Sequence, residues 1–437
     1  MKAIILAGGK GTRLGVYTKN IPKPMLTVGS KPILEHQINI LKRHGISEII
    51  LLVNHLKDYI IDYFGNGEKF GVKISYLEES NPLGTAGGLK EIEDKLTEDF
   101  IFIYGDVMFD IDINRLLNFH FSQKSQFTIV VHPNDHPFDS DLIDVDKNKK
   151  VSSVFPKPHP KDFYYKNLVN AGIYVINPVV LNFIAKDKKS DFGKDIIPMI
   201  YNKLDVYAYN TSEYMKDMGT PERLERVKKD YLSGKISKRS YLKKQKAVFL
   251  DRDGVLNVFK GLIYKSEQFE MYPFAIEAVK LLNSTDYLSI IVTNQPAVAR
   301  NLCTIDDIEF IHKKMETILG NAGAKLDAIY YCPHHPDKGF PDENPEYKID
   351  CECRKPKPGM LLKAAKEFNI DLSKSFIIGD SFFDILAGYN AGVMPIGVKT
   401  GMGLNDDDRK RFISKGYTLR EPKMIFENVL EAVKNIK

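Results

Sequence analysis

Short apolar runs alternate with amphipathic stretches along the whole chain. In the first half, residues 2–6, 49–53, 74–77, 100–104, 127–131 and 173–176 read as strands, and 33–41 spaces its apolar positions as a helix does. In the second half the strand pattern returns at 248–250, 290–292, 328–331 and 376–378, separated by helical spacing over 275–282, 306–319 and 360–368. Alternation of this kind predicts an α/β fold with a mostly parallel, doubly wound sheet in each half. At 437 residues the chain exceeds what one hydrophobic core usually organises, so two domains are expected, over 1–232 and 246–437. Pro221 is placed to open a helix through Tyr231, and the Lys/Arg-rich stretch 233–245 is expected to be a solvated basic linker.

Composition narrows the class. The formal net charge is only +5, and acidic and basic residues are interspersed, which argues against a dedicated nucleic-acid or membrane protein and favours small anionic substrates. No apolar stretch approaches a membrane span and the first residues run straight into a strand, so a soluble cytoplasmic protein is the expectation. Of the four cysteines, Cys332, Cys351 and Cys353 cluster with His334, a donor set that suits a closed tetrahedral zinc site better than a disulfide framework. Cys303 is left over and reads as structural. The pattern leaves the oligomeric state open, including a homo-oligomer.

Two clusters carry candidate chemistry. After the first strand, Gly8, Gly9 and Gly11 let the backbone approach phosphate oxygens as an anion-binding nest, with Thr12 alongside and Lys10 and Arg13 adding positive charge. This is neither a Walker A loop nor a dinucleotide fingerprint, because the required Gly-Lys-Ser/Thr ending and the last glycine are missing. Its companions follow in order: Pro22-Lys23-Pro24-Met25, Pro82-Leu83-Gly84-Thr85-Ala86-Gly87-Gly88, Tyr104-Gly105-Asp106, Asn170-Ala171-Gly172 and Asp217-Met218-Gly219-Thr220-Pro221. On these motifs the first half resembles the sugar-1-phosphate nucleotidyltransferases, which implies a Rossmann-like domain joining a nucleoside triphosphate to a sugar phosphate with loss of pyrophosphate. The resemblance makes Asp106 and Asp217 the Mg²⁺ ligands and gives Arg13 and Lys23 the triphosphate charge. It places Gly84 and Thr85 at the base and ribose, Asn170 at sugar hydroxyls and Lys157 at the sugar phosphate. Pro156 stands where that family has a glutamate, so no sugar contact is carried over there. Taken singly, the two aspartates could instead cap helices and Lys23 could be a solvated loop lysine, readings that the order of the motifs disfavours.

The second cluster begins at Asp251 and Asp253, which end an apolar strand. Side chains at i and i+2 share a face, so both carboxylates project beyond its C-terminal edge. With Asp251-Arg252-Asp253-Gly254, Thr293, Lys355 and Gly379-Asp380 in this order, the second half resembles the haloacid dehalogenase-like phosphatases and implies their Rossmannoid fold. That resemblance makes Asp251 the nucleophile and Asp253 the general acid and base. Mg²⁺ would be held by Asp251, the Asp253 carbonyl and Asp380. Thr293, Arg354 and Lys355 would hold the phosphate, and Asp384 would orient the metal shell or Lys355. The zinc ligands end at Cys353, next to Arg354. Together with Thr293-Asn294-Gln295 and Cys353-Arg354-Lys355-Pro356-Lys357-Pro358-Gly359-Met360, the cluster looks like the heptose 1,7-bisphosphate 7-phosphatases. Histidinol-phosphate phosphatases share much of it. Asn294, Gln295 and Arg300 belong to the expected substrate loop, which departs from the heptose pattern at Pro296-Ala297.

A heptose bisphosphatase yields the sugar 1-phosphate that the first domain would consume, and the first half also resembles heptose-1-phosphate guanylyltransferases. The expectation is a bifunctional enzyme using GTP and heptose phosphates. Two alternatives stay open: thymidylyl or uridylyl transfer to another sugar phosphate beside a promiscuous phosphatase, and a non-catalytic nucleotide-sugar-binding regulator.

Overall fold

The computed structural model describes residues 1–9, 11–79, 81–160, 162–339 and 342–436; Lys10 of the glycine-rich loop lies outside them. The chain forms two compact units, one of Met1–His132, Asp139–His159 and Leu168–Leu242, the other of Pro133–Phe138, Pro160–Asn167 and Lys243–Lys437. The main division falls after Leu242. Residues 233–242 are not the solvated tether expected from their charge. Ile236 joins Leu224 and Val227 in an apolar cluster, and Arg239, Ser240 and Tyr241 are buried. Tyr241 N donates to the Glu213 carboxylate (2.8 Å) and Arg239 Nη2 to Ser212 O (2.9 Å). Charge counting missed this because the apolar positions sit singly among lysines, on the covered side.

In the first unit the Ala3–Leu6 strand lies parallel to Glu48–Val53 on one side and Phe100–Tyr104 on the other, within a nine-stranded sheet. Ile5, Leu51 and Ile103 face one layer with Leu34, Ile38 and Leu41 of the Ile33–Arg43 helix, whereas Ile4, Leu52 and Phe102 face the other with Tyr174 and Phe192. Neighbours along each strand thus point to opposite layers, as a sheet covered on both faces requires. The parallel pattern breaks beyond Phe100–Tyr104, where Val169–Ile176 runs antiparallel to it and to Phe127–His132, and resumes at Val206–Asn210, which pairs parallel with Phe127–His132. Among the described residues no α-helix intervenes between Phe127–His132 and Val169–Ile176, so they lack the crossover a parallel pair needs. Apolar spacing marks strands; it carries no direction.

The second unit meets the parallel expectation in full. Its six strands are ordered Ala328–Cys332, Tyr287–Asn294, Lys246–Leu250, Phe376–Gly379, Met394–Val398 and Met424–Phe426, and every neighbouring pair is parallel. The order reverses between Lys246–Leu250 and Phe376–Gly379, which opens a crevice beyond their C-terminal ends. Asp251 and Asp380 immediately follow those two strands. No helix among the described residues is long and apolar enough to cross a membrane.

Candidate active sites

In the first unit the chemistry also gathers beyond two adjacent central strands. Gly11 has φ +63°, and a Cβ there would meet Thr18 Cγ2 at 2.9 Å and Lys23 Cβ at 3.2 Å, so the loop that starts at Gly8 and Gly9 turns where only glycine fits. Thr12 and Arg13 open the following 3₁₀ turn, Thr12–Thr18. Asp106 follows Phe100–Tyr104 and is ion-paired with Lys23, which is itself buried. Asp217 pairs in register with Val107 across an antiparallel ladder, and Met218 N donates to Asp106 O (3.0 Å), so the two carboxylates sit on neighbouring strand ends. Arg223 Nη1 reaches both Asp217 oxygens at 2.9 and 3.1 Å, and its Nη2 reaches Asp139 at 2.6 Å. A Cβ on Gly219 would meet Asp217 Oδ1 and Arg13 Nη2 together, which puts the Arg13 guanidinium beside Asp217. Hard carboxylate oxygens are the donors Mg²⁺ takes, and each of these two is matched here by a cation of the chain, Asp106 by Lys23 and Asp217 by Arg223.

The Pro82–Gly88 loop is pinned to the chain around Ser190. Ala86 N donates to Ser190 O and Ser190 N to Leu83 O, each at 2.9 Å, with Gly84 packed against the Ser190 backbone. Thr85 Oγ1 donates to Asp191 (3.0 Å) and accepts from Phe192 N (2.8 Å), so its hydroxyl fastens the loop. Asn170 and Lys157 converge on another segment. Asn170 N donates to Asp141 O (3.0 Å), while Lys157 reaches Asp141 Oδ1 through its amide (3.1 Å) and Asp139 O through Nζ (2.7 Å).

In the second unit a cleft of about 490 Å³ is lined by Asp251, Asp253, Thr293, Asn294, Gln295, Arg300, Arg354, Lys355, Asp380 and Asp384 among others. Gly254 has φ +84° and leaves no room for a Cβ against the Asp380 carboxylate, so the turn after Asp253 closes onto Asp380. Lys355 Nζ lies 2.9 Å from Asp251, 2.5 Å from Asp384 and 2.7 Å from Val292 O. Burial pulls this ammonium down, but the two carboxylates outweigh it and hold it above its usual range. Asp251, Asp380 and Asp384 offer oxygens all within 4.8 Å of one another. Burial first, and then Asp251 and Asp384, push Asp380 well above the carboxylate range. One ammonium among three carboxylates leaves negative charge that a hard divalent cation would balance, so the set fits Mg²⁺.

The cysteine cluster closes as its composition suggested. Its sulfurs lie 3.4 Å (Cys332 to Cys351), 3.1 Å (Cys332 to Cys353) and 3.2 Å (Cys351 to Cys353) apart, with His334 Nδ1 3.4 Å from Cys353. Zinc bonded to sulfur at about 2.3 Å would set sulfur-to-sulfur edges of roughly 3.8 Å, so the four donors fit it with small shifts. Arg354 Nη1 donates to His334 O (3.0 Å), tying the cluster to the cleft.

A nucleotidyl transferase family model matches residues 2–234, more than half of the chain. The chain belongs to the nucleotidyl transferase family. A HAD-hydrolase-like model matches residues 352–432. The D-glycero-beta-D-manno-heptose-1,7-bisphosphate 7-phosphatase of Pasteurella multocida (strain Pm70) is 44% identical over 169 residues, 38% of this chain and 89% of that protein. The protein is therefore an N-terminal nucleotidyl transferase joined to a C-terminal HAD-like domain of that phosphatase's family. A Synechocystis UTP–glucose-1-phosphate uridylyltransferase is 33% identical over 234 residues, 50% of this chain and 60% of that protein. The Saccharomyces cerevisiae mannose-1-phosphate guanyltransferase is 34% identical over 242 residues, 54% of this chain and 64% of that protein. The chain thus spans less than two thirds of the length of these two transferases.

In the nucleotidyl transferase, the motifs gave no hint of Glu79. It is buried just past the Lys73–Glu78 strand, and its Oε1 has no hydrogen-bond partner among the described residues. Asn54 Nδ2 donates to Glu79 O (2.6 Å) and the Asn54 Cβ lies 3.0 Å from a Cβ built on Gly8, while a Cβ on Gly88 would strike Glu79 Oε1. Glu79 therefore stands between the two glycine-rich loops. Burial, then Glu91, pushes its carboxyl up to about 7. In the HAD-like phosphatase, two expected substrate contacts are engaged internally. Asn294 exchanges hydrogen bonds with the Lys355 backbone (3.1 and 3.0 Å), and Gln295 Nε2 donates to Asp253 (2.7 Å) and Thr293 (3.0 Å). Both hold the machinery in place; a side-chain amide's reach to substrate or to backbone cannot be read from sequence.

Proposed function

We propose that the enzyme removes the 7-phosphate of D-glycero-D-manno-heptose 1,7-bisphosphate and transfers a guanylyl group from GTP to the resulting heptose 1-phosphate, releasing pyrophosphate. The likeness of the second half to a heptose bisphosphatase carries the sugar assignment, because that reaction leaves the C1 phosphate a transferase needs. Asp251 and Asp380 with the Asp253 carbonyl would hold Mg²⁺ in the phosphatase, and Asp106 with Asp217 in the transferase. Bound there, the ion neutralises phosphate charge so that an anionic nucleophile can approach.

In the phosphatase, Asp251 attacks the 7-phosphorus and an aspartyl phosphate forms as the sugar alkoxide leaves, protonated by Asp253. Asp253 then takes a proton from the water that displaces the phosphoryl group. Lys355, fixed by Asp384, holds charge gained at phosphorus, with Thr293 and Arg354 as further donors. In the transferase, the Gly8–Gly11 backbone, Arg13 and Lys23 gather the triphosphate, while Lys157 and Asn170 hold the sugar phosphate for attack on the α-phosphorus.

Glu79 favours guanine over the uridylyl alternative. Guanine offers two donors on one edge, N1–H and the 2-amino group, to a carboxylate that lacks a partner for one oxygen; uracil and thymine offer one N–H there. Structural zinc at Cys332, His334, Cys351 and Cys353 and a cytoplasmic location belong to the same proposal. The test is to supply both anomers of heptose 1,7-bisphosphate with GTP, UTP or dTTP and follow phosphate and pyrophosphate separately. The proposal expects phosphate first, then pyrophosphate with GTP only. Pyrophosphate with UTP or dTTP in preference would overturn the base assignment.

A further inference from the structure

Among the described residues Arg252 is the largest fully buried side chain, with no exposed surface. It sits between Asp251 and Asp253, just past the end of the Lys246–Leu250 strand, where alternation alone would point it away from both carboxylates. Its guanidinium nevertheless turns back onto Asp253, with Nε 3.2 Å and Nη2 3.0 Å from Oδ1, and Nη2 2.9 Å from Oδ2. The remaining arm, Nη1, lies 3.3 Å from Nε2 of His312 on the Ile305–Asn321 helix. His312 is buried, with its ring 5.2 Å from that of Tyr331. Burial, followed by the Arg252 charge, holds this imidazole well below its usual range, so it is neutral and its Nε2 accepts from Nη1. Gln295 on Oδ2 (2.7 Å) and Asn257 on Oδ1 (3.0 Å) complete the grip on Asp253.

Sequestering a guanidinium this fully is costly unless each arm is paired, and packing alone would be served by an apolar residue. We propose that Arg252, anchored by His312, is the positioning residue for Asp253: it fixes the carboxyl toward the leaving oxygen and stabilises the carboxylate left behind once its proton has moved. This rests on the reading of Asp253 as general acid. In the step concerned the Asp251–phosphorus bond forms, the phosphorus–oxygen ester bond breaks, and the proton passes from Asp253 to the departing oxygen. In the next, water oxygen bonds phosphorus, the Asp251–phosphorus bond breaks, and the water proton returns to Asp253. Arg252 stays charged throughout and touches neither substrate nor phosphorus.

Leaving-group dependence separates this role from simple folding support. The magnesium-loaded, full-length protein is assayed on nitrophenyl, phenyl and alkyl phosphates as wild type, Arg252→Lys and Asp253→Asn. A nitrophenolate departs without a proton and an alkoxide does not, so losing the acid should slow alkyl phosphate by about 10²–10⁴-fold and nitrophenyl phosphate far less. Arg252→Lys keeps charge but loses the fork, and should show the same steepened dependence in kcat at about a tenth of the size or more, with KM little changed. His312→Leu, which leaves Arg252 itself intact, should move in the same direction and serves if Arg252→Lys fails to fold. Equal loss on all three substrates in both variants, beside a steep Asp253→Asn, would overturn the inference and leave the acid assignment standing. A flat Asp253→Asn would overturn the acid assignment and the inference with it.

Discussion

Glu79 gives the transferase a pH signature that can be worked out in advance. Its carboxyl is pushed up to about 7, first by burial and then by Glu91. Only the ionised form can accept both guanine donors. With that value, about one molecule in eleven is ionised at pH 6 and about ten in eleven at pH 8, so apparent affinity for GTP should fall roughly tenfold between pH 8 and 6. The assay is initial-rate pyrophosphate release against GTP concentration, with sugar 1-phosphate saturating, at several pH values. Glu79→Gln should flatten this component and lower kcat/KM for GTP by about 1–3 kcal/mol, roughly 5–150-fold, because an amide presents one acceptor and an opposed donor. Its effect with UTP should be smaller. The sign on stability is opposite: a folded value above the ordinary 4.5 means the unfolded chain ionises first, so Glu79's contribution falls as pH rises from 4.5 to 7. If Glu79→Gln left the GTP-to-UTP ratio and the pH profile unchanged, the base assignment would have no support at this residue.

Two further outcomes follow from the phosphatase. Lys355→Ala leaves the buried Asp384 and the partly buried Asp251 without their ammonium, so unfolding free energy should drop by about 3–5 kcal/mol and phosphate release should vanish; denaturant melts and a phosphate assay check both. Cys351→Ser should lower bound zinc, measured by metal analysis of protein purified without chelator. It should also cut phosphatase kcat about 10–100-fold through the Arg354 tie to His334, while pyrophosphate release from heptose 1-phosphate continues.

Apolar spacing was enough to place Ile33–Arg43, Phe100–Tyr104 and four of the six strands of the second unit to within a few residues, though it passed over Met394–Val398 and Met424–Phe426. It could not tell that Val169–Ile176 reverses direction, since a strand covered on both faces has the same composition either way. The aspartates at strand ends were legible because motif and strand end coincide: Asp251 and Asp380 meet across the reversal point with no intervening strand. What stayed hidden depends on contacts between distant segments. Thr85 looks like a ligand residue but fastens Asp191 and Phe192, more than 100 positions away. Glu79 looks like one acid in a polar run, and only its burial and free oxygen single it out. Arg252 reads as the variable letter of its motif, yet its guanidinium closes on Asp253. The buried side of 233–242 was masked by its lysines.

The central claim is that two separate carboxylate sites perform two consecutive reactions, and paired substitutions test it most directly. Asp251→Asn and Asp106→Asn are each assayed for phosphate release from heptose 1,7-bisphosphate and for pyrophosphate release from GTP with heptose 1-phosphate supplied. The account predicts that Asp251→Asn abolishes only the first and Asp106→Asn only the second. Loss of both activities in either variant, or survival of both, would contradict it.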